Sequence, residues 1–297
     1  MAMDLVLQQI VNAVSLGGIY ALLALGLAVV FSIVSLINFA HGELMTVAGY
    51  GMFFALAVSL PFPLALLLAV SVAVIAALLT ERFAFRPMRK ADVTGLLLTS
   101  FAVSAILRVI FQNGISARPK PVPLPAGLTG VVEIGSLHIG IVPLLSIVTA
   151  ALSLAMLLLF LKHTTLGKAM RAAAEDFQVL RLMGIKANRV IAMAFAVSGV
   201  LAGIAAVLWI AQRGSVDPLM GFVPVLKAFV AAVIGGLGSL SGAVAGGFAL
   251  GILEVLFQAF LPDAALPYRD AFVLSFVILI LVWRPDGLIP APVSRRS

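Results

Sequence analysis

The sequence predicts an all-α fold, a polytopic bundle of transmembrane helices, and its composition is the first reason. Of the 297 residues, 63% are hydrophobic and 10% are charged, whereas a soluble domain carries about 25% charged residues. The mean hydropathy is +1.21. Nine apolar stretches follow one another along the chain. We therefore expect a single transmembrane domain over residues 1–297, because such stretches face lipid or one another.

The nine apolar stretches differ in length. They cover residues 5–37, 44–60, 62–80, 95–112, 139–161, 190–212, 223–237, 242–261 and 271–283. A helix that crosses the bilayer needs roughly 20 apolar residues. The shorter stretches after Val223 are therefore predicted to be half-helices or re-entrant pieces, which other parts of the protein must shield from lipid. Eight and nine crossings both remain open.

Basic residues predict the orientation of the chain. Lysines and arginines number 4 in residues 82–90, 6 in residues 162–189 and 3 in the C-terminal tail, which includes Arg295 and Arg296. The opposite loops hold only Arg118, Lys120, Arg213 and Arg269. Cytoplasmic loops are enriched in Lys and Arg. The C-terminus is therefore predicted to lie in the cytoplasm and the N-terminus outside, and the net charge of +7 reflects this bias.

Two loops have distinct compositions. The outer stretch at about 113–138 carries four prolines, which cannot continue a helix and favour extended backbone, so an external Pro-rich loop is expected. The inner stretch at about 162–189 contains strong helix formers and no proline. A short cytoplasmic helix is predicted there.

An internal repeat is a further hypothesis. The turn that begins at Ile37 and the glycine-rich turn that begins at Ile234 are offset by 197 residues, and Gly49 then aligns with Gly246. Inverted or parallel repeats are common in transporters. A few matched glycines in apolar sequence leave the repeat open.

The sequence lacks the motifs of the common catalytic and nucleotide sites. It has no phosphate-binding GxxxxGK[ST] loop, no HExxH, no GxSxG and no cysteine. His41, His138 and His163 are far apart in sequence, so no metal site is expected. We expect no catalytic residue, no cofactor and no nucleic-acid partner.

Several blocks of the chain resemble one known family. They are the run GGIYALLALGL from Gly17, INFAHGEL from Ile37, TLGKAMRAAAED from Thr165 with LMGI from Leu182, GGLGSLSGA from Gly235 and RPDGL from Arg284. Together they resemble branched-chain amino acid ABC transporter permeases of the LivH type. The resemblance covers nearly the whole chain.

This resemblance implies a subunit of an ATP-driven importer in the bacterial cytoplasmic (inner) membrane. The expected partners are a second, LivM-like permease, two cytoplasmic ATPase subunits, an extracytoplasmic solute-binding protein and membrane lipid. The implied solute is a branched-chain amino acid or a related small amino acid or amide. A self-sufficient secondary transporter or channel for small polar solutes is the alternative.

The resemblance also implies a coupling helix in the inner loop, where the ATPase docks. The residues expected to take part are Gly167, Arg171, Ala173, Ala174, Glu175, Asp176 and Gly184. The run of alanines at 172–174 is expected to allow close approach of the partner. An amphipathic helix that rests on the membrane surface is the alternative interpretation.

Polar residues within apolar stretches, and at the turn that follows the first stretch, are candidates for the translocation pathway or its gates. They are Asn12, Asn38, His41, Glu43, Glu254 and Gln258. A charge such as that of Glu254 costs about 2.5–3.5 kcal/mol at the centre of a membrane helix, so it should face a partner or a cavity. An internal hydrogen bond and a place on the pathway both remain open for it. Arg108 and Lys227 are expected to snorkel from outer helix ends, without a special role.

Overall fold

The structure is a computed structural model that describes residues 2–89, 91–128, 130–134 and 137–289. These ranges contain eleven α-helices: α1 (Ala2–Val34), α2 (His41–Ala57), α3 (Phe62–Thr80), α4 (Val93–Gly114), α5 (Ile141–His163), α6 (Thr165–Glu175), α7 (Phe177–Leu182), α8 (Ala187–Arg213), α9 (Phe222–Gly235), α10 (Leu240–Phe260) and α11 (Arg269–Trp283). Four short strands are also described: β1 (Lys120–Pro121), β2 (Val131–Ile134), β3 (Leu137–Gly140) and β4 (Ser215–Val216).

Each of the nine apolar stretches forms a helix, so the predicted all-helical membrane bundle is confirmed. Among the described residues, seven helical segments are long and apolar enough to cross a membrane. They are α1, α3, α4, α5, α8, α10 and the segment Leu266–Trp283, in which a 3₁₀ turn runs directly into α11. The other two, α2 and α9, have 17 and 14 residues. Both are shorter than a full crossing requires.

Helix α1 is the centre of the bundle. Its residues from Ile19 to Val30 are almost fully buried, and it contacts α5, α8, α9 and α10. The seam with α10 is made by glycines. A Cβ atom on Gly247 would lie 2.4 Å from Ala21 Cα, and one on Gly251 would lie 2.4 Å from Gly17 Cα. Small residues at these positions let the two backbones approach closely, as is typical of membrane helix pairs.

Helices α2 and α9 begin next to each other inside the bundle. A Cβ atom on Gly221 would lie 1.8 Å from the carbonyl oxygen of Gly42, and both glycines are buried. The ring of His41, the first residue of α2, lies against Gly26 in α1. The two short helices therefore start at a shared point among longer helices, which shield their first turns from lipid.

The loops at the two ends of the bundle match their predicted character. The Pro-rich segment is extended: Lys120–Pro121 pairs with Ser215–Val216, and β2 forms an antiparallel hairpin with β3. The stretch at about 162–189 contains the predicted short helix, α6, followed by α7. Its cytoplasmic position stays a prediction. The side chain of Thr164 caps α6 by accepting a hydrogen bond from the backbone N–H of Gly167 at 2.9 Å.

Two expectations are left open by the fold. The helices that follow the two proposed repeat turns differ in length: α2 has 17 residues and α10 has 21. The internal repeat stays a prediction. Lys90, Arg295 and Arg296 of the basic regions lie outside the described residues.

Candidate functional site

A polar cavity of about 570 Å³ opens beside the first half of α1. Its walls come from α1, α5, α8 and α10. One side is closed by Leu124, Leu128, Gly130, Val131 and Gly140. Asn12 and Gln258, which are 246 positions apart in sequence, both line it. Gln9, Ser15 and Gln212 complete the polar lining. Sequence reasoning missed Gln9 and Gln212, although Gln9 lies one helical turn before Asn12 and thus on the same face of α1.

The polar lining is organised by hydrogen bonds between helices. Gln212 Nε2 donates to Ser15 Oγ at 2.8 Å and lies 3.5 Å from Ser146 Oγ, so α8 is joined to α1 and α5. On the other side, Arg269 donates from NH1 to Gln258 Oε1 at 2.6 Å. These contacts fix the orientation of two amide groups that face one cavity.

Glu254 lies next to this cavity but is paired within the protein. Tyr20 donates from its hydroxyl to Glu254 Oε2 at 2.8 Å, and Lys227 Nζ lies 2.7 Å from Oε1. Arg269 makes a second ion pair with Oε1 at 3.0 Å. The carboxylate is therefore neutralised by two cations and joins α1, α9, α10 and α11. A buried charge needs such partners to offset its desolvation.

The expectation that Lys227 and Arg108 only snorkel was wrong. Lys227 is ion-paired with Glu254 because α9 packs against α10, which brings the ammonium group to the carboxylate. Arg108 lies 4.4 Å from the ring centroid of Phe222 and 3.5 Å from Glu43 Oε1. Both cations connect the two short helices to their longer neighbours.

Asn38, His41 and Glu43 form a second polar group, away from the cavity. Their exposed fractions are 2%, 0% and 0%. Glu43 Oε1 accepts a hydrogen bond from Ser104 Oγ at 2.9 Å, and His41 Nδ1 lies 2.8 Å from Ser198 Oγ. Within the described residues, Asn38 Oδ1, His41 Nε2 and Glu43 Oε2 find no hydrogen-bond partner. The structure thus divides the six pathway candidates between the cavity beside α1, an ion-paired cluster and this second polar group.

We expect Gly26→Ala to displace the ring of His41. The added methyl group would lie 2.5 Å from His41 Cε1 and 2.7 Å from Nε2, closer than van der Waals contact allows. Overpacking of this kind costs about 1–3 kcal/mol. The thermal midpoint of the purified protein in detergent should fall. Gly51→Ala is the matched control, because its methyl group would lie 3.6 Å from the nearest atoms; an equal fall in both variants would contradict the contact.

The proposed coupling helix presents only part of its surface to a partner. Gly167, Met170 and Ala173 are buried against the bundle, since their spacing of three places them on one face. A Cβ atom on Gly167 would lie 2.3 Å from Phe160 O. The alanine run is therefore not a single outward face, contrary to the sequence-based expectation, because Ala173 points inward.

The outward side of this region carries charged and apolar groups. Arg171, Ala174, Glu175 and Asp176 are exposed, and Gly184 ends the segment with a φ of +79° that favours glycine. Leu182 and Met183, at the end of α7, are 86% and 71% exposed. We call these two residues the apolar tip. Sequence reasoning quoted both residues only as part of the LMGI block and did not predict their exposure.

Comparisons with known proteins agree on one family. The family model described as branched-chain amino acid transport system / permease component matches residues 9–282. The chain is 35% identical to the high-affinity branched-chain amino acid transport system permease protein BraD of Pseudomonas aeruginosa, with 96% of each chain covered. It is 35% identical to the corresponding LivH protein of Escherichia coli (strain K12), again with 96% of each covered.

More distant matches are also informative. The LivM permease protein of Escherichia coli (strain K12) is 32% identical over 146 residues, which is 47% of this chain and 33% of LivM. Among solved structures, PsaBC from Streptococcus pneumoniae in complex with Fab has a TM-score of 0.51 at 13% identity, and the match covers 96% of this chain and 92% of that one. The structural likeness supports the fold.

Proposed function

Because the chain belongs to the family of branched-chain amino acid transport permease components, we propose that it is a membrane subunit of an ATP-driven importer. The solute is a branched-chain amino acid or a related small amino acid or amide. The similarity over 96% of the chain to permeases of high-affinity branched-chain systems carries this proposal. The partial similarity to LivM supports a second, related permease as its partner.

The need for an ATPase partner follows from what the sequence lacks and what the inner loop exposes. The chain has no nucleotide-binding motif. The apolar tip and the outward residues of α6 offer a surface for another protein. Glu254 is a poor site for a coupling ion, because Lys227 and Arg269 already neutralise it. We therefore propose that two ATPase subunits drive transport and that a solute-binding protein delivers the solute from outside.

The pathway is proposed to run from the outer cavity, with Asn12 and Gln258, towards the group of Asn38, His41 and Glu43. This group holds the start of α2 against α1, α4 and α8. Movement of α2 would break these contacts together. We propose that the group acts as a gate whose closed state the contacts stabilise.

Uptake measurements test the proposed function. Cells that lack this chain should lose uptake of radiolabelled leucine at low concentration. In sealed right-side-out vesicles that carry the chain, hold ATP inside and receive the binding protein outside, vanadate enclosed with the ATP should block this uptake. An uncoupler that collapses ion gradients should not block it. Uptake that stops with the uncoupler and survives vanadate would support a secondary transporter instead.

The orientation is tested separately. We propose that the basic loops are cytoplasmic. Arg89 donates a hydrogen bond to Asn188, so the loop before α4 and the start of α8 lie at the same end of the bundle. The chain has no cysteine, which gives a clean background. A membrane-impermeant maleimide should label Ala91→Cys and Ala187→Cys only from the cytoplasmic side and Ala117→Cys only from outside. Labelling of Ala117→Cys and Ala187→Cys from one side would contradict the topology.

A further inference from the structure

The cavity beside α1 is lined by a small set of neutral polar groups and by aliphatic side chains. The polar groups that face it are amides and a hydroxyl from three helices: Gln9, Asn12, Ser15, Gln212 and Gln258. No described lining residue is charged. Amides and hydroxyls both donate and accept hydrogen bonds. Such a lining suits a ligand that carries both a positive and a negative group and no net charge.

The two fixed amides present opposite ends to the cavity. Gln212 uses its NH₂ group on Ser15 Oγ, so its carbonyl oxygen is left as an acceptor. Gln258 uses its carbonyl oxygen on Arg269, so its NH₂ group is left as a donor. An ammonium group of a ligand can donate to the carbonyl oxygen of Gln212, and a carboxylate can accept from the NH₂ group of Gln258. Arg269, which orients Gln258, is itself ion-paired with Glu254 and Asp270.

The remaining walls are aliphatic. Leu16, Val255, Leu124 and Val142 line the cavity, and they come from α1, α10, the outer loop and α5. Apolar walls with a few oriented polar groups are typical of small-molecule sites, and the volume of about 570 Å³ lies within their usual range of roughly 300–1,000 Å³. The side chain of a ligand held by its two charged groups would lie against these walls.

We infer that this cavity is a binding site, within a single permease chain, for a zwitterionic amino acid with an aliphatic side chain. Gln258 binds the carboxylate, Gln212 binds the ammonium group and the aliphatic wall contacts the side chain. The site receives the solute at the outer end of the pathway. The inference rests on the proposed function for the choice of solute, and it adds selection by the permease itself to selection by the delivering protein.

Protection of an engineered cysteine from labelling tests this site. Asn12→Cys is introduced into the full-length, cysteine-free chain, in washed right-side-out membranes that lack ATP and the soluble binding protein. Labelling by an impermeant thiol reagent is followed with L-leucine as the probe. At ten times its Kd, a ligand leaves about one site in eleven free, so labelling should slow roughly tenfold. Gln9→Cys, on the same wall, is a second reporter and should be protected too.

Matched variants separate the cavity from the helix around it. Gln8→Cys is adjacent to Gln9 but does not line the cavity, and leucine should not protect it. Isoamylamine and isocaproate, each of which lacks one of the two charged groups, should protect far less than leucine. Gln258→Leu in the Asn12→Cys background should abolish protection, whereas Gln112→Leu on α4 should not.

Three results would overturn the inference. They are unchanged labelling of Asn12→Cys and Gln9→Cys in the presence of leucine, absence of labelling at both positions, and equal protection by the single-charge analogues. If uptake is sensitive to vanadate but leucine does not protect the cysteines, the binding site is refuted and the proposed function stands. If leucine protects the cysteines but uptake resists vanadate, the binding site is supported and the ATP-driven mechanism is refuted.

Discussion

Leu182→Asp is expected to abolish ATP-driven uptake while the chain still folds and inserts. The side chain is 86% exposed at the end of α7, so the change removes little buried surface within the chain. If an ATPase covers it, burial of the leucine contributes about 1.5–3 kcal/mol, and a buried carboxylate in its place adds a further penalty. Docking should weaken by about 10- to 100-fold or more. Co-purification of the ATPase and uptake of leucine are the measurements.

The control for this change keeps the apolar surface. Leu182→Met has nearly the same volume and should retain both docking and uptake. Met183→Asp, at the other residue of the apolar tip, should reproduce the defect, since this side chain is 71% exposed. Wild-type uptake in both aspartate variants would mean that the tip contacts no partner. The ATPase would then have to dock elsewhere on the inner end.

Gly251→Val is expected to prevent the bundle from forming. The closest atoms to an added Cβ are Gly17 N and Cα, each at 2.4 Å, and these are backbone atoms of the most buried helix. A backbone cannot rotate away as a side chain does, so α1 and α10 must separate. We expect a loss of about 3 kcal/mol or more, a large part of the 5–15 kcal/mol that stabilises a typical protein. The yield of monodisperse protein in detergent should fall sharply.

A second glycine-to-valine change isolates the cause. Gly114 ends α4, and a Cβ atom there would meet nothing within 4 Å. Gly114→Val should therefore give protein with a nearly unchanged thermal midpoint. A Gly251→Val protein that purifies and melts like the Gly114→Val protein would contradict the tight α1–α10 seam.

Local sequence was enough to predict the helices. Their apolar stretches are long. Because lipid offers no hydrogen-bond partners, a helix is the simplest structure in which the backbone N–H and C=O groups of such a stretch pair with one another. The boundaries agree within a few residues, and Phe62–Thr80 agrees at both ends. The short helix from Thr165 was also predictable, because its residues favour helix and Thr164 is a good cap.

Contacts between distant residues were not predictable in the same way. The pairing of Lys227 with Glu254 depends on how α9 packs against α10, and the inward position of Ala173 depends on how α6 lies against the bundle. The position of a residue within its own stretch of sequence predicts neither the ion pair nor the inward side chain. Asn12 and Gln258 were each recognisable as polar residues in apolar sequence, but only the fold brings them to one cavity with Gln212.

The most direct measurement of the central claim is reconstitution of the chain in proteoliposomes, with and without its proposed partners. With the second permease, the two ATPases, the loaded binding protein and ATP, the vesicles should accumulate leucine. The chain alone should accumulate none under a proton or sodium gradient, since Glu254 is already ion-paired with Lys227 and Arg269. Gradient-driven accumulation of leucine by this chain alone would contradict the account.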